Sequence, residues 1–287
     1  MALSALLILF PACTPDKNVT PADRPVARII SLSPSITREI TDLGGGGLLV
    51  GVTSYDDYHG PGMEVVGTLI QPNIEKIILL KPDMVLYSAE DGLVQNVERL
   101  AEAGVAMHRF TLNKSFADIC KNYLVLGGIL GRESTARDNI KRYTEILDRK
   151  KGSRRSGTET TRPLVAFLLS CRPLIVASAD SFIGQVIRDS GGRCPYGGAG
   201  RPHPLISLES LIETDPDMII SMTGGEDTSD FFRRLSVDFK DMTAVRYGNI
   251  YTITPDTIPY YTPADYVKSM EKISVMIKKA RKPPRFP

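Results

Sequence analysis

Asn73-Ile-Glu-Lys-Ile-Ile-Leu-Leu-Lys-Pro-Asp-Met-Val-Leu86 and Ser207-Leu-Glu-Ser-Leu-Ile-Glu-Thr-Asp-Pro-Asp-Met-Ile-Ile220 are one pattern written twice, 134 residues apart. Each opens on a small polar residue, Asn73 or Ser207, suited to cap a helix. Apolar residues then recur at i, i+3 and i+4: Ile74, Ile77 and Ile78 in the first copy, Leu208, Leu211 and Ile212 in the second. Pro82 and Pro216 end the two helices. The chain next runs through Asp-Met into a continuous apolar stretch, as a strand covered on both faces by helices does. Upstream, Arg28-Ile-Ile-Ser-Leu-Ser33 matches Val165-Ala-Phe-Leu-Leu-Ser170 at a similar offset, so a whole α/β unit is repeated. The pattern predicts two homologous α/β lobes that face each other, each built on a mainly parallel sheet.

The length of 287 residues accommodates two such lobes with a core in each. A net charge of +2, with Lys and Arg scattered along the chain, gives no electrostatic case for a nucleic-acid partner. From Arg28 onward strands alternate with helices, which argues for parallel sheets whose binding loops gather at the carboxyl ends of the strands. Ser115 to Leu130 reads as one helix and Arg132 to Lys151 as a longer, polar one, followed by a charged, Gly/Ser-rich break at Gly152 to Thr161. The expected organisation is therefore a leader and tether over 1–27, a first lobe over 28–131, a bridging helix and break over 132–161, and a second lobe over 162–287. The last helix is predicted from about Ala264 to Lys279, with a basic end that suits its dipole.

Met1 to Phe10 is an apolar run too short to span a bilayer, and it closes on Phe10-Pro-Ala-Cys13. This resembles the leader of a bacterial lipoprotein with Cys13 as the lipidated residue, placing the protein in the periplasm or on the cell surface; Thr14 to Pro25 reads as a polar tether. Cys120, with Phe116, Ile119, Tyr123 and Leu124, falls on a helical pattern and reads as core. Whether Cys171 and Cys194 pair is not decided by their spacing.

Arg28 to Thr37, Val50-Gly-Val-Thr-Ser-Tyr-Asp-Asp-Tyr58, Asn73 to Asp83 and Leu205-Ile-Ser-Leu-Glu209 resemble the substrate-binding proteins of bacterial ABC importers for vitamin B12, ferric siderophores and haem, the vitamin-B12 branch in particular. The resemblance runs in order through most of the chain from Arg28. It implies two α/β lobes joined by one long helix, with the ligand held in the cleft between them. The expected ligand is a cobalamin-type corrinoid, with haem or a ferric siderophore as the alternative, and no further cofactor. The expected partner is a permease dimer with its ATPase subunits, and the chain is expected to act as a monomer.

Carried onto these residues, the resemblance puts Tyr55 in the cleft, with Asp57 and Tyr58 beside it and Ser33 and Pro34 at the cleft loop of the first lobe. Arg172 to Ile175 form the corresponding loop of the second lobe, and Asp256 and Tyr260 approach the ligand's other face. Vitamin-B12-binding relatives line this cleft with tryptophans, whereas this chain has none: Leu69, Ser88 and His203 stand at the matching positions. A tyrosine can stack on a flat macrocycle or ligate ferric iron, so Tyr55 alone does not choose between ligands. His203, flanked by Pro202 and Pro204, offers a neutral imidazole to cobalt or iron, and equally reads as a surface-loop histidine. The resemblance also marks Glu75 and Glu209, the same place in the two repeats, as residues that dock on permease arginines.

Three histidines in all, with His108 inside a strand, leave His59, His203 and Asp57 as too thin a set for a bare zinc or manganese site. An enzyme is not expected either. No strand-Gly-x-Ser-x-Gly-helix element occurs, and Ser33 is followed by proline.

Overall fold

The computed structural model describes residues 25–58, 60–68, 70–89, 97–152, 161–197, 201–222, 226–253 and 261–280. In the first lobe, β1 (Ile29–Ser31), α1 (Pro34–Asp42), β2 (Leu49–Val52), β3 (Glu64–Val65), α2 (Ile74–Leu79), β4 (Met84–Ser88), α3 (Val97–Glu102) and β5 (Met107–Phe110) follow in order. Helices α4 (Phe116–Ile129) and α5 (Glu133–Gly152) come next. The second lobe contains β6 (Val165–Cys171), β7 (Leu174–Val176), α6 (Phe182–Asp189), α7 (Leu208–Thr214), β8 (Met218–Ser221), α8 (Glu226–Asp238), α9 (Thr243–Arg246), β9 (Ile250–Thr252) and α10 (Pro263–Lys279). Among the described residues the first sheet has the order β3-β2-β1-β4-β5, parallel throughout. The second has the order β7-β6-β8-β9, parallel except for the β6–β7 hairpin.

The two halves of the repeat share a central parallel strand pair. Ile29 pairs with Met84 as Val165 pairs with Met218, so β1–β4 and β6–β8 are equivalent central pairs. The side chains of Asn73 and Ser207 each accept from the backbone N–H three residues on, that of Lys76 or Ser210, and start α2 and α7. Both helices are followed by a residue of left-handed φ, Lys81 at 47° and Asp215 at 39°, and then by the proline. The aspartate after the proline has a job that hydrophobic periodicity alone conceals. Asp83 Oδ2 accepts from the N–H groups of Ala27 and Arg28, each at 2.8 Å, and Asp217 Oδ2 from that of Leu164 at 2.7 Å. Each carboxylate thus ties the strand it precedes to the start of its central neighbour.

The apolar strand runs are buried from both sides. Ile29, Met84 and Leu86 pack against α1 and α4, while Ile30 and Val85 face α2 and α3. In the second lobe Val165, Phe167, Met218 and Ile220 face α6 and α10, while Ala166, Leu168 and Ile219 face α7 and α8. The long α5 bridges the lobes: Ala136 belongs to the first core, and Tyr143 and Leu147 to the second. Helix α4 crosses the same gap in the opposite sense, with Ile119 in the second core and Tyr123 and Leu126 in the first. Gly127 brings the pair close, since a Cβ there would stand 2.7 Å from the Ala136 methyl carbon. Cys120, Cys171 and Cys194 are thiols, so Cys171 and Cys194 are not bridged. Burial pushes the Cys120 thiol up to about 12, with the nearby Glu39 carboxylate adding to the shift.

Replacing Asp83 or Asp217 with alanine strands backbone donors that a carboxylate now holds. Each change is expected to destabilise by about 1–2 kcal/mol, and the two effects should add because the sites lie in different lobes. Denaturant melts of the single and double mutants check both points, and a loss under a few tenths of a kcal/mol would reduce these bonds to surface contacts.

Candidate functional site

Both helices that border the gap between the lobes begin alike, with a hydroxyl residue at the cap and proline in the first turn. α1 starts at Ser33-Pro34 just beyond β1, and α10 starts at Thr262-Pro263 in the segment that follows β9. Proline suits the first helical position because its missing N–H would be unpaired there anyway. Ser33 is buried, and its carbonyl accepts from the Ser31 hydroxyl at 2.9 Å. Thr262 Oγ1 accepts the Asp265 N–H at 3.0 Å and donates to the Asp265 carboxylate at 2.9 Å. A direct bond joins the lobes, from the Tyr261 N–H to Ser35 Oγ at 3.3 Å.

Between these helix starts lies a cavity of about 330 Å³. One side of α1 supplies Pro34, Thr37, Arg38, Thr41 and Asp42; the loop after β2 supplies Asp56, Asp57 and Tyr58; α10 and its cap supply Thr262, Ala264 and Asp265. The β2 loop is pinned from beneath. Asp56, itself buried, accepts from the Thr53 N–H at 2.9 Å and the Thr53 hydroxyl at 2.7 Å, and Tyr55 N–H reaches Thr53 Oγ1 at 3.3 Å. That tight turn turns the Tyr55 ring outward, 60% exposed, while Tyr58 leans on the glycine loop, where a Cβ on Gly46 would stand 2.9 Å from its hydroxyl. Arg38 connects three elements: its Nη2 lies 3.1 Å from Asp57 Oδ2 and its Nη1 3.8 Å from Asp265 Oδ2.

The structure thus gathers Pro34, Asp57 and Tyr58 in one cavity, with the buried Ser33 at the N-cap position behind Pro34, its side chain making no capping bond. Tyr55 stands out from the neighbouring turn and is not among the lining residues. Arg172 lies on the β6–β7 turn, exposed, 3.5 Å from Asp227. His203 is exposed on a segment strapped to β7, where the Pro202 and Pro204 carbonyls accept from Ser178 and Val176 N–H groups at 3.0 and 3.1 Å. Partial desolvation lowers the His203 pKa, and a backbone contact with Pro202 opposes it, leaving the ring neutral near pH 7. Ser88 is buried at the end of β4, and His108 packs edge-on against Phe110 at 4.6 Å. Glu75 and Glu209 sit exposed in the first turns of α2 and α7; the Glu209 carboxyl is held below its usual range by its own backbone N–H and by the Ser207 hydroxyl. Leu69, Asp256, Tyr260, His59 and Cys13 lie outside the described residues. Among the described residues no three His, Cys, Asp or Glu side chains converge to hold a metal ion, and no helix is long and apolar enough to cross a membrane.

Arg38, Asp42, Asp56 and Asp265 escaped the sequence reading. A usable signal was present on α1, where Thr37, Arg38, Thr41 and Asp42 form a polar stripe opposite Ile36 and Ile40, directly after the Ser33-Pro34 loop. Behind that stripe Glu39 is buried at the junction with α4 and α10. Burial pushes its carboxyl well above the ordinary value, and the charges of Asp42 and Asp265 push the same way.

The sequence profile for the family described as periplasmic binding protein matches residues 29–257. A vitamin B12-binding protein of Vibrio vulnificus is 28% identical over 216 residues, covering 75% of each chain. Two Vibrio cholerae crystal structures share the fold. The periplasmic vitamin B12 binding protein superposes with a TM-score of 0.75 at 22% identity, over 90% of this chain and 99% of that one. The periplasmic haem-binding protein superposes with a TM-score of 0.75 at 19% identity, over 87% and 98%.

Glu39 generates a pH prediction. Its proton is held more tightly in the folded than in the unfolded protein, so stability falls as pH rises from the ordinary glutamate value through the raised one. Glu39→Gln should therefore raise the melting temperature at pH 8, change it little near pH 4, and flatten the slope between. Melting curves across that range check it; an equal shift at every pH contradicts a buried, titrating carboxyl.

Proposed function

Since the chain belongs to the periplasmic binding protein family, we propose that it is the lipid-anchored substrate-binding component of an ABC importer. In this reading it captures a cobalamin-type corrinoid and passes it to a membrane permease dimer driven by ATPase subunits. The observation that carries the reading is the cavity walled by both lobes, with the aromatic turn Tyr55–Tyr58 beside it. Such a turn offers flat, half-solvated rings to a flat macrocycle. The corrinoid is preferred because the Vibrio vulnificus relative, similar over three quarters of both chains, is named for vitamin B12. Haem or a ferric siderophore is the second reading, favoured by the exposed, neutral His203, an imidazole suited to iron that stands outside the residues lining the cavity. Arg172, Asp256 and Tyr260 are assigned to the second lobe's side of the ligand and Leu69 to the first, Cys13 to the lipid anchor, and Glu75 and Glu209 to the permease. The function is capture and delivery, with no bond made or broken.

Titration of the purified protein with cobalamin, haemin and ferric siderophores, followed by tyrosine fluorescence and thermal shift, tests the ligand. Cobalamin is expected to bind in the micromolar range or tighter, and Tyr55→Ala to weaken it by about 1–3 kcal/mol. Unchanged affinity in that mutant removes Tyr55 from the site, and haemin binding without cobalamin binding selects the second reading.

The partner is tested separately. Glu75→Ala and Glu209→Ala should each leave ligand affinity intact while reducing uptake and permease binding, the double mutant more than either. Loss of ligand binding or of thermal stability in both single mutants would instead make these glutamates helix-start residues.

A further inference from the structure

Among the described residues that line the inter-lobe cavity, Asp42, Asp56, Asp57 and Asp265 bring four carboxylates and Arg38 one guanidinium, a formal charge of −3 with all five ionised. The guanidinium is already engaged: it faces Asp57 at 3.1 Å and Asp265 at 3.8 Å, one from each lobe. Asp42 and Asp56 are bonded by neutral donors. Asp42 accepts from the hydroxyls of Tyr123 and Tyr143, and Asp56 from the N–H and hydroxyl of Thr53. Such donors orient a carboxylate without cancelling its charge. Behind α1, burial first and then the charges of Asp42 and Asp265 raise the Glu39 pKa, so the same carboxylates that line the cavity act on this buried neighbour as well.

We propose that this cavity sorts ligands by charge, admitting neutral or cationic metal chelates and disfavouring those that carry carboxylates or a net negative charge. The proposal rests on the cavity's being the ligand site, as read above. The cavity defines the site, and the carboxylates set its sign. Charges in a cleft with low-dielectric walls act together on whatever enters, and they are screened only over a Debye length of about 8 Å at physiological salt. A corrin rimmed with carboxamides presents dipoles to this field. A haem presents two propionates, and it would have to keep them in solvent or leave them beside like charges. The cavity's sign therefore separates the two ligand readings that ring shape alone leaves together.

Two experiments test this. The first needs no ligand. Thr41 is exposed and lines the cavity, so the thiol of Thr41→Cys can be timed against a cationic trimethylammonioethyl methanethiosulfonate and its anionic sulfonatoethyl counterpart. In both cases the thiolate attacks the sulfenyl sulfur, a mixed disulfide forms and methanesulfinate leaves; only the charge of the transferred group differs. Relative to a free thiol, and with the parent protein as the background for its own thiols, the cation should react at least about tenfold faster at low ionic strength. The ratio should collapse toward one in 1 M salt, where the Debye length is about 3 Å, and Asp57→Asn should shrink it. A ratio of one or below at low salt overturns the proposal.

The second experiment compares matched ligands: a corrin with an amide periphery against its polycarboxylate, and haemin dimethyl ester against haemin. The amide and the ester should each bind at least about tenfold more tightly than the acid at low salt, with the gap closing as salt is raised. Equal or reversed affinities within the pairs overturn the proposal. If the first experiment shows the cationic preference and none of the four probes binds, charge sorting stands and the ring-chelate reading falls.

Discussion

The carboxylate of Asp42, at the end of α1, accepts from the hydroxyls of Tyr123 on α4 and Tyr143 on α5, and the rest of the molecule is arranged around that junction. Asn139 of α5 donates to the Tyr123 oxygen at 2.9 Å, and Arg142 to that of Tyr143 at 3.1 Å. Largely buried phenols need such partners, and burial, with Asp42 adding to it, raises the pKa of both tyrosines, which stay neutral and able to donate. Bonds to a charged acceptor are stronger than those between neutral groups, even though Asp42 itself is exposed to the cavity. Their consequence is geometric: the helix along one wall of the cavity is fastened to the two helices that join the sheets.

That fastening works against any change in the cavity's width. α4 and α5 each place side chains in both cores, so a shift of one lobe against the other would have to break packing in two places. At the second lobe the aromatic rings of Phe116 on α4, Phe182 on α6 and Tyr266 on α10 close the far end, with centroids 4.9 and 5.5 Å from Tyr266. The Tyr266 hydroxyl then donates to Asp189 at 2.7 Å. Arg38 and the Tyr261–Ser35 bond span the mouth itself. A strut made of two helices resists bending and twisting more than a single helix of the same length would.

Most of the fold was legible because its signals are local and repeated. Helix caps at Asn73, Ser115 and Ser207, proline stops, and the doubled strand runs each depend on a few consecutive residues. The parallel order of the sheets follows from alternation of strand and helix. Less legible were features set by side chains meeting across large sequence distances. Arg38 with Asp265, Asp42 with Tyr143, and Asp83 with the backbone of Ala27 carry no periodic signature. Asp56 was passed over because its work is to hold a turn, while its neighbours Tyr55 and Asp57 carry the more obvious chemistry. The start of α10 was placed at Ala264, one residue late, although Thr262-Pro263-Ala-Asp265 is itself a capping sequence.

In the reading proposed above, the stiff strut admits a ligand by small adjustments at the rim, at Tyr55 and its turn, and not by swinging the lobes. Small-angle X-ray scattering of the protein, free and saturated with cobalamin, measures this most directly. Superposable curves, with the radius of gyration unchanged within error, are the expected result. A contraction on binding like that of hinge-closing proteins would show that the helix pair bends, and would contradict a cavity held at fixed width by α1, α4 and α5.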